Sequence, residues 1–330
     1  MLEEEFRFPE EQFLDFISEE RWAFLVYVVN KGEGTVSLLD IVSRERIGEP
    51  IIVGNEPRGI ILTSNGKEIY VTNFLDNQVS VVDLQDDLKK RETISVGRGP
   101  RGIVANLKGD KIYVSNLLDS TVSVIDNKRK KEISKNIDVG LGPTAMALSP
   151  EGRYLYVTNT NDCSVSVIDT EKEERLTDIR VGCVPSHIVV TFDGKFAYTA
   201  NLLSNDISVI DTTNWETTRQ IITVGNGPSG LALSLDGCYL YVANLLDNTV
   251  MVVDTKKRKV VENILVGQGP TSLAMTRDGS WVYVVNQLDN SLSIINSRTK
   301  EKLGKNISVG KEPFALALKD NNITKGLGNS

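Results

Sequence analysis

Histidine is almost missing from this chain: one residue, His187, in 330. Any zinc site or Ser-His-Asp machinery would have to run through that single imidazole, and no H-E-x-x-H, G-x-S-x-G, Walker or haem-attachment sequence stands beside it. Cysteine is nearly as scarce. Cys163, Cys183 and Cys238 are too few and too scattered for a disulfide framework and none forms C-x-x-C, so a reducing compartment is the economical reading. No apolar run approaches the roughly 18 residues that span a bilayer. The N-terminus MLEEEFRFPEEQ has neither the basic region nor the apolar stretch of a signal peptide. These absences predict a cytoplasmic chain, with an exported form open if a leader has been removed. They also predict no membrane insertion, no metal and no cofactor.

A basic surplus is lacking as well. The formal net charge is −7, and residues 1–20 hold eight acids and one base, so the other thirty-six acids are balanced by thirty-six bases. A balanced body with a pI near 5.1 lacks the global signature of a nucleic-acid binder. The acidic segment also carries Phe6, Phe8, Phe13, Leu14, Phe16 and Ile17, and Pro9 followed by Glu10 and Glu11 is a favourable helix start. An N-terminal extension over 1–21 with a short helix at about 10–20 is expected. Its acids would suit a basic face of the body.

What the chain has in abundance is repetition. Tyr-x-x-Asn recurs at Tyr27, Tyr70, Tyr113, Tyr156, Tyr198, Tyr241 and Tyr283, and Val-Gly-x-x-Pro at Val53, Val96, Val139, Val181, Val224, Val266 and Val309. Both markers return every 42 or 43 residues, so seven units fill the chain. One unit, residues 142–182, reads as four short strands: TAMALS, RYLYVTN, SVSVID and LTDIRVG, each closed by turn residues. Four strands per period of this length is the signature of a β-propeller blade. The chain begins inside a blade. AFLVYVVN at 23–30 matches a second strand and FALALK at 314–319 a first strand, so the C-terminal strand is expected to complete the N-terminal blade. The predicted architecture is all-β: a seven-bladed propeller over 22–319, with a tail at 320–330.

YVTN at 70 and 156, each followed by VSVVD or VSVID and then by VGxxP, carries a resemblance. The chain resembles the YVTN-repeat β-propellers, similar to archaeal surface-layer propellers, to a periplasmic enterobacterial propeller that binds DNA and, more distantly, to propeller subunits of quinohaemoprotein and haem enzymes. The resemblance implies the fold and is nearly silent on activity, because one propeller architecture serves many. The leading expectation is a non-catalytic interaction scaffold for a protein or cell-surface partner.

Strand direction places the loops between second and third strands, and those between blades, on one face, here the top. An apolar pair recurs there as Phe74-Leu75, Leu117-Leu118, Leu202-Leu203 and Leu245-Leu246, with Gln287-Leu288 as a fifth variant. Either one member tucks against the neighbouring blade, with the following Asp capping the loop through its own amides, or the pairs form a ring that meets a partner. Breaks in the repeat mark a second candidate. His187 stands where other blades place Gly59, Gly102, Ala145, Gly230, Ser272 and Ala315, with Cys183 close in sequence and Cys163 in the preceding top loop. Arg58 and Arg101 follow their prolines where other blades carry Thr144, Ser186, Ser229, Thr271 and Phe314. With Arg98 they would suit a small carboxylate or phosphate ligand, and a ligand-binding or enzymatic top channel is the alternative. The hairpins between third and fourth strands, on the bottom face, contain KKR at 89, KRKK at 128 and KKRK at 256, with Trp215 nearby, so single-stranded nucleic acid is a weaker alternative. GRGPRG at 97 and GNGPSG at 225 match a dinucleotide fingerprint but lead into a strand, not a helix, and are read as turn chemistry.

Overall fold

The structure is a computed structural model, and it describes residues 24–320 apart from 42, 86–90 and 134–135. The extension over 1–21, its expected helix and most of the tail lie outside the described residues. Among those described there are seven antiparallel sheets and no helix, hence none long and apolar enough to cross a membrane.

Each sheet is one blade. Blade 2 runs outward from the innermost strand Pro57–Leu62 through Glu68–Asn73 and Gln78–Asp83 to Arg91–Ser95. Blades 3 to 7 repeat that order from Pro100, Pro143, Pro185, Pro228 and Pro270. In blades 3, 5 and 7 the outermost strand is broken into two short pieces, such as Lys131–Glu132 and Ile137–Asp138. Blade 1 closes the ring as expected: Phe24–Asn30 pairs with Thr35–Asp40 on one side and with Pro313–Asp320 on the other.

Burial follows position in the blade. The second and third strands are buried on both faces because a neighbouring blade covers each side; EIYVTN and QVSVVD therefore read as nearly continuous apolar and small-polar runs. The outermost strands, such as Arg91–Ser95, are mostly exposed. The core is accordingly shared out between blades. Tyr70, Val79 and Ile94 of blade 2 pack on Ile103, Ile112, Val114 and Ile125 of blade 3 in one of seven such clusters. The innermost strands line a central channel and lend residues such as Ile103 to these clusters.

A small network explains why Tyr-x-x-Asn and Val-Gly-x-x-Pro keep step. Asn116 ends a second strand, is fully buried, and donates from Nδ2 to Ser123 Oγ (2.8 Å) and Thr121 Oγ1 (3.0 Å) on the third. Gly97 lies against it so closely that a Cβ there would sit 2.5 Å from the Asn116 amide carbon. The same contact recurs at Gly54, Gly140, Gly182, Gly225, Gly267 and Gly310. The aspartate of the top loop caps something other than its own loop. Asp76 Oδ2 accepts from the Asn55 amide at 2.7 Å and Asp247 Oδ2 from the Asn226 amide at 2.7 Å, both in the loop that enters the same blade. In place of the expected bond to its own loop's amides, the aspartate ties two loops together.

Candidate functional site

The innermost strands wall a cavity of about 370 Å³ at the top of the channel. The residue after each blade's proline points into it, so Arg58, Arg101, Thr144, Ser186, Ser229, Thr271 and Phe314 form one ring, with His187 a step deeper beside Gly59, Gly102, Ala145 and Ser272.

The ring has two unlike halves. From blade 4 to blade 7 it is made of hydroxyls, each donating to a carbonyl of the next blade: Thr144 to Pro185 (3.3 Å), Ser186 to Pro228 (2.9 Å), Ser229 to Pro270 (2.8 Å) and Thr271 to Phe314 (3.2 Å). These bonds stitch neighbouring blades and, at Ser186, Ser229 and Thr271, commit the hydroxyl protons and leave the oxygens as acceptors toward the cavity, while buried Thr144 also meets the Thr158 and Thr160 hydroxyls. The other half is Phe314, Arg58 and Arg101. Both guanidinium carbons lie over the Phe314 ring, at 5.6 Å for Arg58 and 5.5 Å for Arg101, and Arg58 also lies 4.1 Å over Phe74.

The two arginines differ in their counter-charge. Arg58 Nη2 bonds Glu56 Oε1 at 2.6 Å, and Glu56 in turn meets Lys31, which meets Glu312, so this rim cluster is neutral. Arg101 has no carboxylate within ion-pair distance among the described residues. Burial, and then repulsion from Arg58, push its guanidinium down to about 10. Among the described residues no Asp or Glu lines the cavity. Burial, and then the charge on Arg101, hold His187 at about 4, so its imidazole is neutral at pH 7.

The other sequence candidates separate from this group. Arg98, Cys163 and Cys183 do not line the cavity. Arg98 is a rim residue whose Nε bonds Asp119 Oδ1 at 2.6 Å, with its side chain 69% exposed. Cys183 is exposed and Cys163 half-buried, both as free thiols. Cys163 occupies a left-handed position (φ 49°), equivalent to Asn77 and Asn248. Among the described residues no three His, Cys, Asp or Glu side chains are placed to hold a metal. The apolar pairs divide as one in, one out: Phe74, Leu117, Leu202 and Leu245 are half-buried, Leu202 and Leu245 reaching the cavity, while Leu75, Leu118, Leu203, Leu246 and Leu288 stand exposed around the mouth.

Of the basic bottom loops, Lys130 and Arg258 are used internally, while Lys128, Arg129, Lys256 and Lys257 stay exposed and most of the KKR at 89 lies outside the described residues. In blades 3 to 7 the left-handed residue of the hairpin between third and fourth strands reaches back to the preceding blade. Lys130 Nζ bonds Glu68 Oε2 (2.5 Å) and lies over Tyr70, Glu173 receives Lys111 Nζ (2.6 Å), Arg258 lies over Phe196, and Lys300 Nζ is 3.9 Å over Tyr239. Trp215, a stacking platform in the nucleic-acid reading, packs edge-on against Tyr154 at 5.4 Å.

With this geometry in place, the comparisons are informative. The model of the Lactonase family, described as a seven-bladed β-propeller, matches residues 7–135 and 172–312. The chain belongs to the Lactonase family of propellers. A second model, the cytochrome D1 haem domain, matches residues 110–229, roughly three blades of the repeat. No curated protein matches the chain. Among solved structures it is similar to the Pseudomonas aeruginosa periplasmic gluconolactonase PpgL, at 19% identity over 89% of this chain and 98% of that one, with a TM-score of 0.74. It is also similar to the hydrazine synthase of Kuenenia stuttgartiensis, at 21% identity, 79% and 89% coverage and TM-score 0.71. The dihydro-heme d1 dehydrogenase NirN, solved in complex with DHE, is similar at 18% identity, 89% and 75% coverage and TM-score 0.68. At these identities the likeness is one of fold. Membership of the Lactonase family corrects the leading expectation of a non-catalytic interaction scaffold. A propeller whose family is defined by lactonases, and whose relatives include enzymes, favours the ligand-channel alternative. It gives a family over most of the chain, while the YVTN grouping and the kinship with surface-layer propellers stay resemblances of motifs.

The sequence reading found Arg58, Arg101 and His187 because they break their columns. It missed Phe314 and the four hydroxyls as lining residues. The signal was present: all five stand in the same column after proline, and that column is the channel wall.

Proposed function

We propose that the top channel binds a small polyhydroxylated anion and that the reaction served there is lactone hydrolysis. The observation that carries this is Arg101, a desolvated guanidinium facing the cavity with no carboxylate of its own among the described residues. An anionic ligand would supply the missing counter-charge, and the hydroxyl arc, with its protons committed, would accept hydrogen bonds from the ligand's own hydroxyls. The family match and the gluconolactonase among the structural relatives support sugar-acid lactones as the ligand class. For the chemistry, neutral His187 is the one imidazole able to take a proton from water attacking the lactone carbonyl; the ring C–O bond breaks and its oxygen leaves as a hydroxyl. Arg101 and Arg58 would stabilise the negative charge that develops on the carbonyl oxygen.

The test is titration of D-gluconate into the protein by calorimetry, with hydrolysis of glucono-δ-lactone followed in a pH-stat above the spontaneous rate. Arg101→Gln should weaken gluconate binding by about ten- to a hundredfold. His187→Asn should bind gluconate within a few-fold of the parent and lose the enzymatic rate. Wild-type protein that neither binds millimolar gluconate nor accelerates hydrolysis would overturn the proposal.

A further inference from the structure

We propose that Glu56 sets the charge of the ligand: by holding Arg58 it leaves the top channel one unmatched positive charge, which makes the site selective for a singly charged sugar acid over the same acid carrying a phosphate. This selectivity rests on the sugar-acid reading given above and adds to it the residue that chooses between two ligand classes.

Glu56 stands in an unusual place. It occupies the position before the proline of a Val-Gly-x-x-Pro turn, where Gly99, Gly142, Gly227 and Gly269 take left-handed backbone with φ between 64° and 69°. Glu56 takes the same conformation at φ 53° and Glu312 at φ 48°, against the preference of any residue with a Cβ; blade 5 places Val184 there. The two glutamates sit in the loops entering blades 2 and 1 and share a lysine between them. Glu56 Oε1 accepts from Arg58 Nη2 at 2.6 Å and meets Lys31 Nζ at 3.4 Å, while Glu312 Oε2 accepts from Lys31 Nζ at 3.1 Å. Phe74 and Phe314 hold the same Arg58 guanidinium through cation-π contacts at 4.1 and 5.6 Å. A guanidinium fixed by a carboxylate and two rings cannot turn its charge to a ligand anion without giving up its pair.

At the mouth, Lys31, Arg58, Glu56 and Glu312 cancel. His187 is neutral at pH 7, so among the described residues lining the cavity Arg101 alone carries unmatched charge. Farther out the top face is acidic. Asp76, Asp119, Asp162, Asp247 and Asp289 each accept from an entry-loop amide, and Glu33 lies over Gly310. Of the bases there, Arg98 is paired with Asp119, and Lys311 is exposed next to Gly310. A carboxylate ligand matches Arg101 one to one. A phosphate monoester adds about −1.5 to −2 at neutral pH, finds no second unmatched base among the described lining residues and meets the acidic rim, so Coulomb repulsion opposes it. Arg58 still serves the ligand as a donor. Its Nε is buried with no hydrogen-bond partner among the described residues, which leaves a bond for a neutral ligand oxygen.

Calorimetric titration of D-gluconate and of 6-phospho-D-gluconate into the parent, Glu56→Gln and Glu56→Gly tests this. The parent should bind gluconate roughly tenfold more tightly than its phosphorylated form. Glu56→Gln frees the charges of Arg58 and Lys31 together and should tighten 6-phosphogluconate roughly tenfold, while gluconate moves by less than about threefold. Glu56→Gly, which also removes the left-handed side chain, should share that altered ratio. A residue that only braced its loop would shift both ligands alike. A parent that prefers the phosphorylated acid, or a ratio unmoved in Glu56→Gln, overturns the proposal. If neither acid binds the parent, the sugar-acid reading fails on its own and the charge rule is read with inorganic anions. Sulfate, referred to acetate at equal ionic strength, should then raise the melting temperature of Glu56→Gln more than that of the parent, and equal shifts in the two proteins overturn the proposal.

Discussion

At the scale of single residues, the repeat is a set of steric and hydrogen-bonding obligations. Asn116 has one place for its amide, and that place is the volume a Cβ on Gly97 would fill. Because Asn116 is fully buried and bonded to Ser123 and Thr121, it cannot swing aside. Gly97→Ala should therefore cost about 2 to 3 kcal/mol, read as a lowered urea midpoint at unchanged slope. His187 breaks its column differently. Its imidazole is held at about 4, first by burial and then by Arg101, against an ordinary value of 6.5. The unfolded chain therefore binds the proton more readily than the folded one. Stability is unaffected by this group above about pH 6.5, falls as the pH drops from there toward 4, and loses up to about 3 kcal/mol over that window. Urea melts at pH 7.5 and 4.5 should show a smaller pH penalty in His187→Asn than in the parent. This residue was legible in the sequence as an exception, and so were Arg58 and Arg101. Phe314 and the hydroxyls were not, since a threonine or serine after proline reads as one more harmless turn residue until the innermost strands are set in a circle.

At the scale of elements, the bottom hairpins show a packing role that a charge run in a linear sequence does not reveal. KRKK at 128 and KKRK at 256 look like free positive charge in a linear sequence. In blades 3 to 7 the hairpin is an arm whose left-handed residue lies on the second strand of the preceding blade, and the repeat tyrosine answers it: Tyr241 Oη donates to Ser297 O at 3.2 Å, and the Tyr113 hydroxyl meets Thr170. What matters at that position is reach, not charge, since lysine, arginine, glutamate and tryptophan all serve. Trp215 is the largest of them, packing on Tyr154 with its indole toward the Tyr156 hydroxyl. Trp215→Ala should lower stability by about 2 to 3 kcal/mol, as an interblade aromatic contact is lost and a gap is left behind. Lys130→Ala, a half-exposed ion pair with a cation-π contact, should cost about 1 kcal/mol. Equal losses in the two variants would mean that charge, not packing, holds the hairpins.

At the scale of the molecule, the period determined the fold, because seven copies of one phrase leave a single way to bury both faces of every blade: the last must meet the first. The phase of the repeat then told which strand closes the ring. Pro313–Asp320 pairs along Phe24–Asn30 and supplies Leu316 to the cluster shared by blades 1 and 7, with Leu318 packed beside it. It also supplies Phe314, the platform under Arg58 and Arg101. Burying the few large apolar side chains of one innermost strand is worth about 6 to 12 kcal/mol at about 1.5 to 3 kcal/mol each, comparable with the whole stability of an ordinary domain. Removal of residues 312–330 should abolish the cooperative thermal transition and leave an aggregating chain, and a peptide spanning Pro313–Asp320 added in trans should restore part of both the transition and gluconate binding. A truncated protein melting at the parent temperature would show that six complete blades hold the seventh without its inner strand. Restored melting without restored binding would separate closure of the ring from the assembly of the arginine half of the channel.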